Sequence, residues 1–192
     1  MKKLDHNIRA IPLLDDSMKL VDIITKDNLP EIEERPVYAR SKSPVRISFG
    51  GGGSDLTHFF SDGIGAVINA TISFYSHATL HIRDDSKIII NSLDLNATLK
   101  ADNLEGLLKA PGDFGLIQAV IKTVNPERGF ELDLHSDFPM SSGLGGSAVV
   151  AAAILGCFNE FRKDEWSLHE LSELAYQAER LHQGIEGGWQ DQ

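Results

Sequence analysis

The sequence predicts a fold of mixed strands and helices, and three observations carry that prediction. From residue 37 onward, segments alternating apolar and polar residues, the period of half-buried strands, take turns with segments of helical period. Among them, Ser147–Arg162 is apolar on nearly every face, which marks a buried helix. Directly before it, Phe138-Pro-Met-Ser-Ser-Gly-Leu-Gly-Gly-Ser-Ala148 concentrates glycine and serine where a loop becomes a helix.

The elements follow in order. Ala10–Thr25 reads as two short strands, IPLLD and LVDIIT, joined by an Asp-Asp-Ser turn. Asn28–Pro36 has two prolines and a charge run, the composition of a linker, so the chain is expected to divide into residues 1–35 and 36–192. Val37–Phe49 is extended, and its interior Pro44 suggests an edge strand or a bulge. Leu56–Ser61 is a short helix. Ala66–Arg83 is a long strand or bent hairpin, with Ile68, Ala70, Ile72 and Phe74 on one face. Lys87–Ser92 and Leu95–Asp102 are two more strands, and Phe114–Val124 is helical by pattern. Gly129–Phe138 alternates cleanly, with Phe130, Leu132 and Leu134 on one face.

The last helix opens on Ser167-Leu-His-Glu170, a capping box. Leu168, Leu171, Leu174, Ala175, Ala178, Leu181 and His182 form its apolar stripe, and Gly184 is placed to end it. Glu170, Glu173 and Arg180 point away as solvated residues. Glu179 stands at the stripe's edge, where a carboxylate is either a boundary residue or a held ligand.

Composition narrows the function. The 192 residues are 42% hydrophobic and 24% charged, which suits a globular core. Lys and Arg number 18 against 28 Asp and Glu, a net charge of −10, and nucleic-acid partners need a basic footprint instead. No apolar run reaches membrane length, and the start MKKLDHNIRA is too polar for a secretory signal, so cytoplasm is the expected compartment. The single Cys157 lies in the apolar helix, excludes an intrachain disulfide and reads as a small core residue. The seven histidines show no metal-ligand spacing; His77 and His81 share one strand face at most and are expected to be structural.

The glycine-rich loop carries the chemistry. Glycine lets backbone approach a ligand, and the first turn of a helix offers unpaired N–H groups with a partial positive charge. Together they suit an anion, phosphate above all. No Lys follows the last glycine as in a Walker loop, and G-x-G-x-x-G is absent from this loop.

Three segments give the chain a family resemblance. Pro139 to Ala148 resembles the second motif of the GHMP small-molecule kinases, the superfamily of galactokinase, homoserine kinase and mevalonate kinase. Ser43-Pro-Val-Arg-Ile-Ser-Phe-Gly-Gly-Gly-Gly-Ser-Asp-Leu56 resembles their opening strand and substrate loop. Gly184-Ile-Glu-Gly-Gly-Trp-Gln-Asp-Gln192 resembles the turn that carries their catalytic aspartate. The four glycines and the Gly-Gly-x-Gln-Asp-Gln ending are similar to the branch acting on heptose 7-phosphate and fucose. Residues 10–25 resemble the closing hairpin of a CBS domain; a hairpin packed on the kinase is the alternative.

The resemblance implies an α+β fold, the GHMP kinase N-terminal domain (ribosomal protein S5 domain 2-like) without its C-terminal domain. It implies ATP and Mg²⁺ as cofactors and a sugar phosphate as substrate, phosphorylated at the anomeric hydroxyl. Ser141, Ser142, Gly143, Leu144, Gly145, Gly146 and Ser147 would hold the ATP phosphates. Ser147 and Glu179 would be Mg²⁺ ligands, Asp191 the catalytic base and Arg46 its ionising partner. Gly51, Gly52, Gly53, Ser54 and Asp55 would bind the sugar. Such kinases continue for a hundred or more residues past the aspartate, so the chain is expected to be a fragment, inactive alone, with apolar surfaces left uncovered. A fucokinase-like enzyme and a non-catalytic nucleotide-sensing or scaffold module remain as alternatives, and homodimerisation stays open.

Overall fold

The computed structural model describes residues 10–25, 37–184 and 186–192. The chain divides into two units, Met1–Arg35 and Pro36–Gln192. In the first, β1 (Ala10–Leu14) and β2 (Leu20–Thr25) form an antiparallel pair. The Asp15 carboxylate makes the turn, accepting from the N–H groups of Ser17 and Lys19 at 2.9 Å each. An Asp side chain satisfying backbone two residues on is the usual chemistry of such a turn. The proposed linker, residues 28–36, lies outside the described residues.

The second unit is built on a five-stranded sheet in the order β3-β4-β7-β5-β6. Its strands are β3 (Tyr38–Gly50), β4 (Ile68–Ile82), β5 (Ile88–Ser92), β6 (Ala97–Ala101) and β7 (Phe130–Ser136), with the short helix α1 (Thr57–Phe60) between β3 and β4. All neighbours are antiparallel except β5 and β7, which are parallel. A parallel pair needs a crossover. Here it runs through β6, α2 (Leu104–Lys109) and α3 (Gly115–Val124). The mixed sheet with its helices is the α+β architecture expected.

Pro44 behaves as its chemistry demands. It lies in an edge strand, and the β3–β4 register shifts between Pro44 and Arg46. A proline cannot donate to the ladder, so an edge or a bulge is where it survives. In β7, Phe130, Leu132 and Leu134 are buried, as their alternation predicts.

The helix α4 (Gly146–Asn159) is the centre of the core. It packs on β3 and β4 with one side and on α3 and α5 (Leu168–Gln177) with the others. Its lack of a polar face follows from that position, and Ala151, Ala153, Ile154, Leu155 and Cys157 are all fully buried. Gly156 lets the helix approach β3, since a β-carbon there would collide with the Ser41 side chain. Burial pushes the Cys157 thiol up to about 12, so it stays a neutral core group.

Of the two forms expected for Ala66–Arg83, the long strand is the one present. Its first half is largely uncovered, with Ile68 and Phe74 exposed; the inward face becomes buried only from Ser76, Ala78 and Leu80 on. Val149 in the first turn of α4 packs beside Val45, and β3 and β4 run on past that level. The helix α2 is an element that sequence periodicity does not reveal. Its signal is local, Asn103 accepting from the Gly106 N–H at 2.8 Å, and six residues are too few to show a period.

The last helix departs from expectation twice, in its apolar stripe and at Arg180. Its capping box is present, with Glu170 and Ser167 exchanging hydrogen bonds. After Gln177 the chain takes a π-helical turn, Ala178–His182, closed by the Gln183 N–H donating to the Ala178 carbonyl at 3.1 Å. One extra residue in the turn rotates the side chains beyond it. Leu181 is 73% exposed and His182 is exposed, while Glu179 is only 2% exposed. Leu168, at the other end of the expected stripe, is 85% exposed. Arg180 is not a solvated residue; it is half-buried, with its guanidinium 5.3 Å from the Tyr176 ring. Single π turns inside helices occur often at functional sites. Gly184 comes next at φ +73°, ending the helix as expected.

Candidate active site

Three regions far apart in sequence, residues 46–55, Ser147 and residues 179–191, meet at the N-terminal end of α4. They bound an open cleft of about 290 Å³, lined by Arg46, Gly53, Asp55, Ser147, Glu179, Arg180 and Asp191 among others. Strand β3 supplies Arg46, the loop after it supplies Gly53 and Asp55, and α4 supplies Ser147. The π turn supplies Glu179 and Arg180, and the turn after it Asp191.

Arg46 and Asp191 form an ion pair, donated by Nη2 to Oδ1, with side chains 16% and 29% exposed. The same guanidinium donates to the Gly143 carbonyl at 3.3 Å, and the Arg46 backbone N–H donates to the Leu144 carbonyl at 3.4 Å. The glycine loop is thus hung on the strand that holds the arginine. Gly145 takes φ +74°, the left-handed region that favours glycine, and begins the helix without a side-chain cap. The first-turn N–H groups are left for another acceptor. Gly146 lacks a side chain because the Phe138 ring occupies its place, 2.8 Å from an ideal β-carbon.

The loop residues split accordingly. Ser147 lines the cleft, and Gly145 lies against Asp191, which lines it too. Gly143 and Leu144 face Arg46 with their carbonyls, Gly146 packs on Phe138, and Ser141 and Ser142 are exposed beside the site. Of the residues expected to bind the sugar, Gly53 and Asp55 line the cleft and Gly51, Gly52 and Ser54 do not. Ser54 uses its hydroxyl on the loop itself, donating to the Gly51 carbonyl at 2.7 Å and accepting from the Ala66 N–H at 3.0 Å. Gly51, at φ +79°, is pressed against the Ala66 carbonyl, and Gly52 sits by Gln190.

Asp55 ties that loop to the turn bearing Asp191. Its carboxylate accepts from the Gly53 N–H at 3.0 Å and from the Gln190 N–H at 2.9 Å. Burial raises its pKa, but the N–H groups of Gln190, Gly53 and neighbours outweigh this and leave it below the usual carboxylate value. A β-carbon on Gly188 would strike this carboxylate, so the turn can close only with glycine there. Arg180 braces the same turn, donating to the Gly188 carbonyl at 3.0 Å. Tyr176 beneath it stacks on Trp189 at 3.6 Å and 7°. Nothing in the sequence marks Arg180, whose role depends on the π turn, and the motif that contains Gln190 does not show its contacts with Asp55 and Ser48, more than a hundred residues away.

A hydroxyl and a carboxylate are hard oxygen donors, the set Mg²⁺ prefers. Ser147 and Glu179 both line the cleft, and Gln192 Nε2 donates to Glu179 Oε2. The Gln192 carbonyl oxygen beside it is buried without a hydrogen-bond partner. These residues fit a hard cation.

Residues 114–192 match the family described as GHMP kinases N terminal domain. The second unit has the fold of a GHMP kinase N-terminal domain. It is similar to the D-glycero-alpha-D-manno-heptose 7-phosphate kinase of Campylobacter jejuni, 35% identical over 158 residues, which are 80% of this chain and 46% of that protein. It is 27% identical to the L-fucokinase/L-fucose-1-P guanylyltransferase of Bacteroides fragilis over 95% of this chain and 22% of that protein. Among solved structures, a D-glycero-D-manno-heptose 1-phosphate kinase from Bacteroides thetaiotaomicron superposes with TM-score 0.67 at 32% identity, covering 80% of this chain and 51% of that one. The chain spans about half the length of these heptose kinases. Among the described residues no helix is long and apolar enough to cross a membrane.

Proposed function

We propose that the protein, at the full length of these relatives, transfers the γ-phosphoryl group of ATP to the anomeric hydroxyl of a sugar phosphate, D-glycero-D-manno-heptose 7-phosphate or a close relative. The observation that carries this reading is the meeting of Arg46, Asp191, Ser147 and Glu179 in one cleft at the start of α4.

The chain's own groups divide the work. The first-turn N–H groups of α4 and the Gly143–Ser147 loop bind ATP phosphates through backbone donors. Asp191 accepts the proton of the acceptor hydroxyl as its oxygen attacks the γ-phosphorus; the bond to the bridging oxygen breaks and ADP leaves. Arg46 holds the Asp191 carboxylate oriented through their ion pair. Asp55 and Gly53 hold sugar hydroxyls, Asp55 with the lone pairs its backbone contacts leave free. Mg²⁺, when held by Ser147 and Glu179, neutralises phosphate charge, the main requirement of this chemistry. The isolated 192-residue chain is proposed to be inactive, because in-line transfer tolerates little misplacement of either substrate.

The test is an ADP-release assay on a protein of the relatives' full length. The heptose 7-phosphate should be turned over with Mg-ATP, and Asp191→Asn should abolish the signal. The similarity to the fucokinase makes L-fucose the second substrate to try. Turnover of neither sugar, by a folded protein that binds ATP, would refute the sugar-kinase assignment.

A further inference from the structure

The sheet has a second chemical surface, on the side opposite α4. On β4 and β7 the residues alternate with the buried ones, so His77 and His135 point outward. They are direct partners in the β4–β7 register, and side chains opposite each other on one face stand close together. Their rings stack at 4.5 Å and 4°. Asp137, two residues beyond His135, has its Oδ2 3.2 Å from His77 Nε2.

We propose that His77, His135 and Asp137 form a binding site for a borderline divalent transition metal, Zn²⁺ first. The donor set decides the metal class. Two imidazoles and one carboxylate suit zinc, cobalt or nickel, whereas magnesium and calcium take oxygen. The spacing fits. Ligands about 2.0–2.1 Å from a tetrahedral zinc stand roughly 3.3 Å apart. The His77 and Asp137 atoms already have that separation, and one donor atom from each of the three residues lies within 4.8 Å of the others. His135 is exposed, so its ring is free to turn in toward the other two.

The site is also supported from behind. Asp137 is held at both ends by Tyr75, whose N–H donates to Oδ2 at 3.0 Å and whose carbonyl accepts the Asp137 N–H at 2.9 Å. A ligand carboxylate that is itself hydrogen-bonded is the usual outer support of a metal site. The nearest cation across the β3–β4 register, Lys42, has its ammonium 4.5 Å from the Tyr75 ring centroid. Among the described residues, this is the one group of three His, Cys, Asp or Glu side chains with its donor atoms so close. It joins β4 to β7 on the face away from the cleft, so bound metal would brace the middle of the sheet.

The experiment is a Co²⁺ titration of the chain followed by visible absorption, with Zn²⁺ competition. One equivalent should bind with the spectrum of an imidazole-ligated site, and Zn²⁺ should displace it. His135→Ala should weaken binding at least ~10-fold, the minimum cost even for outer-shell partners. His169→Ala, on the exposed start of α5, should leave it unchanged. Zn²⁺ should also raise the Tm of the wild type and not of His135→Ala, because a ligand of the folded state stabilises it. Binding that is absent in the wild type, or equal in wild type and His135→Ala, overturns the site.

Discussion

Gly145 faces Asp191 so closely that an ideal β-carbon on the glycine would stand 3.0 Å from Asp191 Cγ and 3.1 Å from Oδ1. The loop proposed to bind phosphate and the acid proposed to accept the proton are thus in contact. A single side chain at position 145 would disturb both. Gly145→Ala also forces φ +74° on a residue that avoids it. In the full-length protein it should lower kcat/KM by at least ~10², since displacement of about 1 Å costs that much. Steady-state kinetics together with circular dichroism will check this. A folded Gly145→Ala variant with wild-type kinetics would show that the contact is unimportant.

Asp191 and Glu179 should separate in their effects. Asp191→Asn should reduce turnover by at least ~10² with little change in ATP affinity, the lower range for loss of a general base. Glu179→Gln should instead raise the Mg²⁺ concentration needed for half-maximal activity. Its carboxylate is buried and already engaged by Gln192, so the isosteric amide keeps the packing. Magnesium titrations of the two variants will distinguish them; identical profiles would remove Glu179 from the metal site.

The Asp55 bridge predicts a pH dependence. Its folded pKa is depressed, net of burial, by the N–H groups of Gln190 and Gly53. A depressed carboxyl contributes stability above its unfolded value, about 3.9, and loses it as pH falls through the lower folded value. Asp55→Asn should therefore lower the Tm at pH 7, and the gap to wild type should close as the pH drops below 4. Hydrogen exchange at the Gln190 amide gives the local reading, with protection lost in Asp55→Asn. A Tm gap that persists unchanged at pH 2 would mean that the bridge acts through shape and not through charge.

Much of this is legible in the sequence, and the reasons are physical. Strands and the buried helix announce themselves because period two and unbroken apolar character are local. The clustering of Arg46, Asp55, Ser147, Glu179 and Asp191 is legible through the motif resemblance and not through period or composition. The features that cannot be read there depend on contacts across the chain. Gln190 donates its N–H to Asp55, 135 residues away, and His77 meets His135 and not His81. His81 instead stacks on Tyr38 at 4.3 Å, a partner on another strand. The π turn is the clearest case, because periodicity assumes 100° per residue and one inserted residue breaks the count.

That turn makes a prediction about stability. On an unbroken helix Leu181 would share the stripe of Ala175 and Ala178 and would be worth as much as any core leucine. In the structure it is 73% exposed, whereas Ile154 on α4 is fully buried. Leu181→Ala should change stability by no more than about 0.5 kcal/mol, as surface substitutions do. Ile154→Ala should cost about 2–5 kcal/mol through lost burial and the cavity left behind. Urea unfolding of both variants will measure the difference, with equal slopes required for the comparison. A loss at Leu181 as large as that at Ile154 would mean that the helix runs on without the π turn. Glu179 would then rotate back toward the boundary, away from Ser147 and Asp191.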